Sequence, residues 1–160
     1  MISVKKKPFL QTYKFFTENK YLGSLKVSLF KPSASFSGRE GDFGFFREKH
    51  FEGKYFLSSQ AYSFLASAHK PNGAGLKYIV EFKQHKYDLK PGELFYDRLY
   101  MHYELYKDNE LIGTLVRDTA SLKYLVDFKI DMPNIVQVFI FWLSLNAWIG
   151  ERGWMLACYC

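Results

Sequence analysis

Cysteine is almost missing from this chain: there are two, Cys158 and Cys160, both within the last three positions. Neither has a distant partner, so a disulfide framework is excluded and a reducing compartment is the plain expectation. There is no Asn-x-Ser/Thr sequon, and the opening MISVKKKPFL places a basic cluster ahead of no apolar run, so no secretory signal is expected. The expected location is cytoplasmic, with peripheral attachment to a membrane left open. Catalytic signatures are missing too. His50, His69, His85 and His102 lie sixteen or more residues apart and form no short-spaced ligand pair for zinc. Asp42-Phe43-Gly44 copies a kinase tripeptide without the accompanying nucleotide and catalytic loops. Gly38, Gly41 and Gly44 lead into no helix, as a phosphate loop would require. Asp97, Asp108 and Asp118 occur singly near turns. No catalytic residue, metal site or cofactor is expected. Cys158-Tyr159-Cys160 has the spacing of a soft-metal pair or a lipidated terminus, but nothing accompanies it, and a reduced tail over residues 151–160 is the expectation.

What the chain does have is aromatics: sixteen Phe, twelve Tyr and three Trp in 160 residues. Aromatic and β-branched side chains suit pleated, half-buried surfaces, so a β-rich domain is indicated. One domain of this length buries roughly 70% of its unfolded surface. YKFFTENKYLGSL at 13–25 and YELYKDNELIGTL at 103–115 align without a gap, sharing Tyr13/Tyr103, Asn19/Asn109, Gly23/Gly113 and Leu25/Leu115. Each reads as a hairpin turning at its Asn, which tolerates left-handed backbone angles. The repeat predicts two similar halves, about 8–70 and 75–131.

Between the hairpins, Lys31 to Gly44 is rich in Ser, Gly and Pro and reads as a loop. Strands follow near Phe43–Phe46 and Tyr55–Ser58. Period-two alternation then puts Tyr62, Phe64, Ala66 and Ala68 on one face, Leu76, Tyr78, Val80 and Phe82 on another, and Leu99, Met101, Tyr103 and Leu105 on a third. Tyr124, Val126, Phe128 and Ile130 supply the last run. About ten short strands at this spacing suggest a sandwich or barrel. After Pro133 the pattern changes. Ile135 to Ile149 leaves no polar face, and a helix apolar all round lies either at the centre of a core or in lipid. The predicted helix spans about 133–150, with Asp131 as cap and Gly150 as stop. Gln137, Ser144 and Asn146, and the lack of a basic cluster before Met132, favour a core helix over a tail anchor.

Those features together resemble the tubby-like group, which includes tubby C-terminal domains, phospholipid scramblases and plant LURP-one-related proteins. The residues that carry the resemblance are Tyr103 to Leu115, Tyr124-Leu-Val-Asp-Phe128, and Pro133 with Ile135–Ile149, with Tyr13–Leu25 matching the first-half hairpin. The resemblance implies a closed antiparallel β-barrel of about twelve strands in two similar halves around a central hydrophobic C-terminal helix. It also implies a non-catalytic domain, since members bind phosphoinositides or associate with membrane lipids. The acidic calcium-binding segment and cysteine-rich stretch of scramblases are missing here, and no family contact residue carries over.

Charge points the same way. The chain carries a net +6. Residues 1–80 hold thirteen Lys/Arg against five Asp/Glu, and residues 81–160 hold nine against eleven. A basic half attracts phosphates through its summed field. The candidate headgroup-binding residues are Lys5, Lys6, Lys7, Lys49 and Lys54, with anionic lipid headgroups as the partner. A protein-interaction domain with no small ligand is the alternative, with its protein partner unidentified. Basic and aromatic residues also interleave in Lys49–Lys54 and Lys83–Lys90, as they do for single-stranded nucleic acid, but strands with one wet and one buried face give the same pattern. Nucleic acid is not the expected partner.

Overall fold

Along nearly every strand, residues alternate between a closed interior and solvent, and this alternation draws the chain into a ring. The computed structural model describes residues 1–7, 10–28, 31–48, 53–59, 63–71, 75–93, 101–118 and 123–158, the side chains of Asp118 and of 151–158 excepted. Twelve strands are formed: β1 Ile2–Lys6, β2 Thr12–Thr17, β3 Lys20–Val27, β4 Ser33–Gly38, β5 Gly41–Arg47, β6 Tyr55–Ser59, β7 Phe64–His69, β8 Tyr78–Phe82, β9 His85–Pro91, β10 His102–Lys107, β11 Glu110–Asp118 and β12 Lys123–Phe128. Each pairs antiparallel with its sequence neighbours, and β1 pairs with β12 to close the barrel. Closure gives every strand two paired neighbours, so no whole strand is left as an edge. Inward residues such as Val4, Phe15, Leu25, Phe45, Leu57, Val80, Leu89, Leu105, Leu115 and Val126 are buried.

The helix α1, Asn134–Cys158, runs through the middle. Its side chains meet opposite walls. Phe141 contacts Tyr13 and Phe15 of β2 and Tyr124 of β12 at centroid distances of 5.4, 5.3 and 5.2 Å. Trp142, 0% exposed, lies 5.6 Å from Phe45 of β5 and 5.8 Å from Tyr55 of β6. The apolar segment therefore fills the barrel. Among the described residues, no helix is long and apolar enough to cross a membrane.

The repeated hairpins match in detail. Both turn through two residues of positive φ, Glu18-Asn19 and Asp108-Asn109, the backbone of the type I′ turn that fits strand twist. Both shift register at the same place, Phe15/Phe16 and Leu105/Tyr106. The shared glycine has a packing cause. A Cβ on Gly23 would overlap the Phe36 ring and the Ser37 carbonyl, and one on Gly113 would overlap Phe128 and the Asp127 carbonyl.

Several expectations need correction. Lys31–Gly44 is not one loop: Ser33–Gly38 forms β4, whose small residues fit beside Phe45 and Phe46 of β5. Phe64 does not share the inward face of Ala66 and Ala68, because a bulge at Leu57/Ser58 inserts a residue and turns Phe64 outward. Tyr62 and Leu99 lie outside the described residues. β1 has no counterpart among the strands expected from sequence, whereas β9 falls on Lys83–Lys90, where one wet and one buried face are expected. The helix begins after Pro133, whose carbonyl accepts from Val136 and Gln137, rather than at an Asp131 cap. It continues past Gly150 to Cys158.

Candidate functional site

The up-and-down topology sorts every turn to one of two ends. β1, β3, β5, β7, β9 and β11 finish at one end, called here the mouth, and the even-numbered strands start there. The helix enters at the opposite end, where the Asn134 amide donates to Glu40 at 2.8 Å. It leaves through the mouth, where Ile149 is 45% exposed. Beyond Gly150 its backbone continues for eight residues, about 12 Å at 1.5 Å per residue.

Cations gather at the mouth in two layers. The inner layer pairs an inward cation at the end of one strand with an inward tyrosine at the start of the next. Lys6 lies over Tyr13 at 6.0 Å, Arg47 over Tyr55 at 5.6 Å, Lys70 over Tyr78 at 5.3 Å and Arg117 over Tyr124 at 5.9 Å. Three of these are direct ladder partners, Lys6↔Tyr13, Arg47↔Tyr55 and Arg117↔Tyr124. Arg117 also lies over Trp148 of the emerging helix at 5.1 Å, and its Nε is buried without a hydrogen-bond partner. Aromatic faces hold these cations in place. Burial pushes the Tyr13 and Tyr78 hydroxyls well above their ordinary pKa, Tyr124 adding to the effect at Tyr13 and Tyr55 at Tyr78, while Arg117 and Arg47 oppose it. Tyr13 and Tyr78 thus stay neutral phenols beside positive charge.

The outer layer is a row of lysines across three strands. Lys5 of β1 stands directly opposite Lys123 of β12 on one side and Lys14 of β2 on the other. All three alternate with buried residues and so face out. Neighbouring strands lie about 4.8 Å apart, and like charges directly opposite destabilise a ladder. Among the described residues none of the three has a carboxylate within ion-pair distance, although Asp118 stands opposite Lys123 on its far side. The second half supplies a comparison. Lys90 occupies the ladder position of Lys5, each lying over the aromatic ring that follows, Tyr106 or Phe16. Lys90 faces Glu104 rather than a lysine. Beside the row, Lys26 and the hydroxyl-bearing Ser28, Ser33 and Ser35 line an open recess of about 340 Å³.

Of the candidates read from sequence, Lys5, Lys6, Lys7 and Lys54 are exposed and lie at the mouth. Lys5 and Lys6 end β1 and Lys7 follows it. Lys54, whose carbonyl accepts from Glu48 before β6, is five strands away around the ring and is not brought to the lysine row. Lys49 lies outside the described residues. Sequence reading missed Lys14, Lys26, Arg47, Lys70, Arg117 and Lys123. Their common signal was position, each within a few residues of a strand end at one pole, and that pole is visible only once the strand order is known. The basic excess belongs to one barrel end rather than to one chain half: at the end away from the mouth Glu18, Glu40, Asp42, Asp108, Glu110, Asp127 and Asp131 are nearly balanced by Lys20, Arg39, Lys83, Lys86, Lys107 and Lys129. Among the described residues no group of three or more His, Cys, Asp or Glu side chains is placed to hold a metal ion.

Comparison with family models, with curated proteins and with solved structures finds no match to this chain. The reading of function therefore rests on the barrel itself.

Proposed function

We propose that this chain is a non-catalytic binding module of the tubby-like kind, whose basic mouth docks on anionic phospholipid headgroups at a membrane surface. The observation that carries the reading is Lys5 set between Lys14 and Lys123. Two like-charge contacts, one in each ladder of β1, reduce stability, and the corresponding Lys90 faces Glu104 instead. A site that retains such a row is accounted for by an external anion, which removes the repulsion when bound. The collar supports the same ligand, because Lys6, Arg47 and Arg117 are braced by aromatic rings and keep N–H groups for phosphate oxygens. The serine-lined recess beside Lys26 adds neutral donors of the kind that orient a headgroup.

Co-sedimentation with vesicles tests the reading. Phosphatidylcholine vesicles serve as the neutral control, and vesicles containing phosphatidylserine or a phosphoinositide carry the charge. Binding is expected only to the charged vesicles, weakening as salt rises. Equal recovery with neutral and charged vesicles at low salt would rule the proposal out. A second reading, a protein-interaction domain, is favoured by one separate feature: the Phe64 side chain is 64% exposed on the outer wall.

A further inference from the structure

The ladder between β7 and β8 is the shortest among those described. It holds Ser67↔Glu81, Ala68↔Val80 and His69↔Ile79 and then stops, although β7 begins at Phe64 and β8 runs to Phe82. An open groove of about 290 Å³ occupies the parting, with Phe56, Phe64 and Leu65 on one wall and Phe82, Lys83 and Lys86 on the other. The bulge at Leu57/Ser58 puts Phe64 on this outer wall, where its ring lies 4.8 Å from Phe56. Leu65 is 37% exposed beside it. An exposed aromatic on a strand edge is a feature that folded proteins usually suppress with charge or cover.

We infer that this groove takes an extended peptide segment carrying an aromatic or branched aliphatic side chain next to a carboxylate, added as a strand along the lower edge of β7. Three observations select that occupant. Ladder pairing on the β8 side ends at Ser67, so the edge offers main-chain groups of the kind that strand addition uses. The volume and the Phe64 and Phe82 walls suit one large apolar side chain. The charge selects an acid: Glu81 reaches Lys86 at 3.6 Å, whereas Lys83 lies over the Phe82 ring at 5.4 Å with no carboxylate partner among the described residues. The groove lies away from the mouth, so its occupant does not compete with a membrane docked there.

Amide NMR of the ¹⁵N-labelled chain provides the test. The probe is the blocked hexapeptide Asp-Phe-Thr-Val-Glu-Val, and its counterpart has lysine in place of both acids. Shifts are expected at Leu65, Ala66 and Phe82 to Lys86 with the acidic peptide, with affinity at least tenfold weaker for the basic one. Phe64→Ser should abolish the response. Its side chain is mostly exposed, so the rest of the spectrum and vesicle binding at the mouth should be unchanged. Equal response to both peptides, no shift up to millimolar peptide, shifts confined to the mouth, or concentration-dependent broadening from self-association would each overturn the inference. None of these outcomes bears on vesicle binding, which is read separately.

Discussion

Lys5→Glu should make the protein more stable and less able to bind anionic vesicles. Lys5 faces Lys123 and Lys14 across its two ladders. Cross-strand pairs are worth about 0.2–1 kcal/mol each, with like charges on the unfavourable side. The substitution removes two repulsive pairs and creates two attractive ones. It also removes the Lys5–Phe16 contact at 5.3 Å, a loss of about 0.5 kcal/mol for an exposed cation on a ring. With the lower part of that range for exposed groups, about 0.2–0.5 kcal/mol per contribution, the net gain is roughly 0.3–1.5 kcal/mol. For a domain of this size 1 kcal/mol moves Tm by about 2–4 °C, so a rise of about 1–6 °C is expected at low ionic strength. Differential scanning calorimetry in about 10 mM and about 1 M salt reads it, because screening falls from about 30 Å to about 3 Å between them. Most of the gain should vanish at the higher salt. Lys90→Glu is the mirror experiment, since it sets a second carboxylate opposite Glu104 and should lower Tm. On vesicles, Lys5→Glu removes one attraction of about 1 kcal/mol and adds a repulsion of similar size, a loss of roughly 30-fold in affinity. A Tm that falls or stays unchanged at low salt would refute the like-charge argument, whatever happened to binding.

The other predictions concern the frame that holds this site. Gly23→Ala and Gly113→Ala should each cost about 1–3 kcal/mol by overpacking, because backbone carbonyls of Ser37 and Asp127 stand where the methyl would go; chemical denaturation measures this, and a neutral result for both would contradict the packing cause of the repeat. Trp142→Ala should cost about 3–5 kcal/mol, since the ring is fully buried against Phe45 and Tyr55, and an urea midpoint like that of the unmodified chain would contradict a helix inside the barrel. Tyr13 and Tyr78 have folded-state pKa values raised above the ordinary value of 10.0. The unfolded chain therefore releases these protons first, and stability should be constant below about pH 10 and fall above it. Absorbance at 295 nm should show tyrosines that ionise only as the protein unfolds, and their smooth titration in the folded state would count against burial.

The closing helix and the paired hairpins were legible because their signals are local. An all-apolar run after Pro133 has one soluble solution, enclosure, and Asn19 and Asn109 mark turns that demand positive φ. The third such turn, Lys83-Gln84, carries positive φ without Asn or Gly, so no residue announced the turn that separates β8 from β9. β4 was hidden for a different reason. Ser33, Ser35 and Ser37 look like loop composition, yet they form the outer row of a strand that Phe36 anchors inside. The bulge that exposes Phe64 depends on β6, its partner, and strict alternation within β7 could not reveal it. The mouth was the least legible part. Lys14 and Lys123 are far apart in sequence and become neighbours of Lys5 only through barrel closure between β1 and β12. Single-chain charge counting found a basic half, whereas the physical unit is a basic end.

The central claim is that the mouth, rather than net charge as such, engages anionic membranes. Vesicle binding by the unmodified chain, by Lys5→Glu/Lys14→Glu and by Lys20→Glu/Lys129→Glu measures it most directly, because both pairs change the net charge equally and Lys20 and Lys129 lie at the end away from the mouth. The account predicts that the first pair abolishes binding to phosphoinositide-containing vesicles at low salt while the second leaves most of it. Equal losses from both pairs, or binding retained by the first, would contradict it.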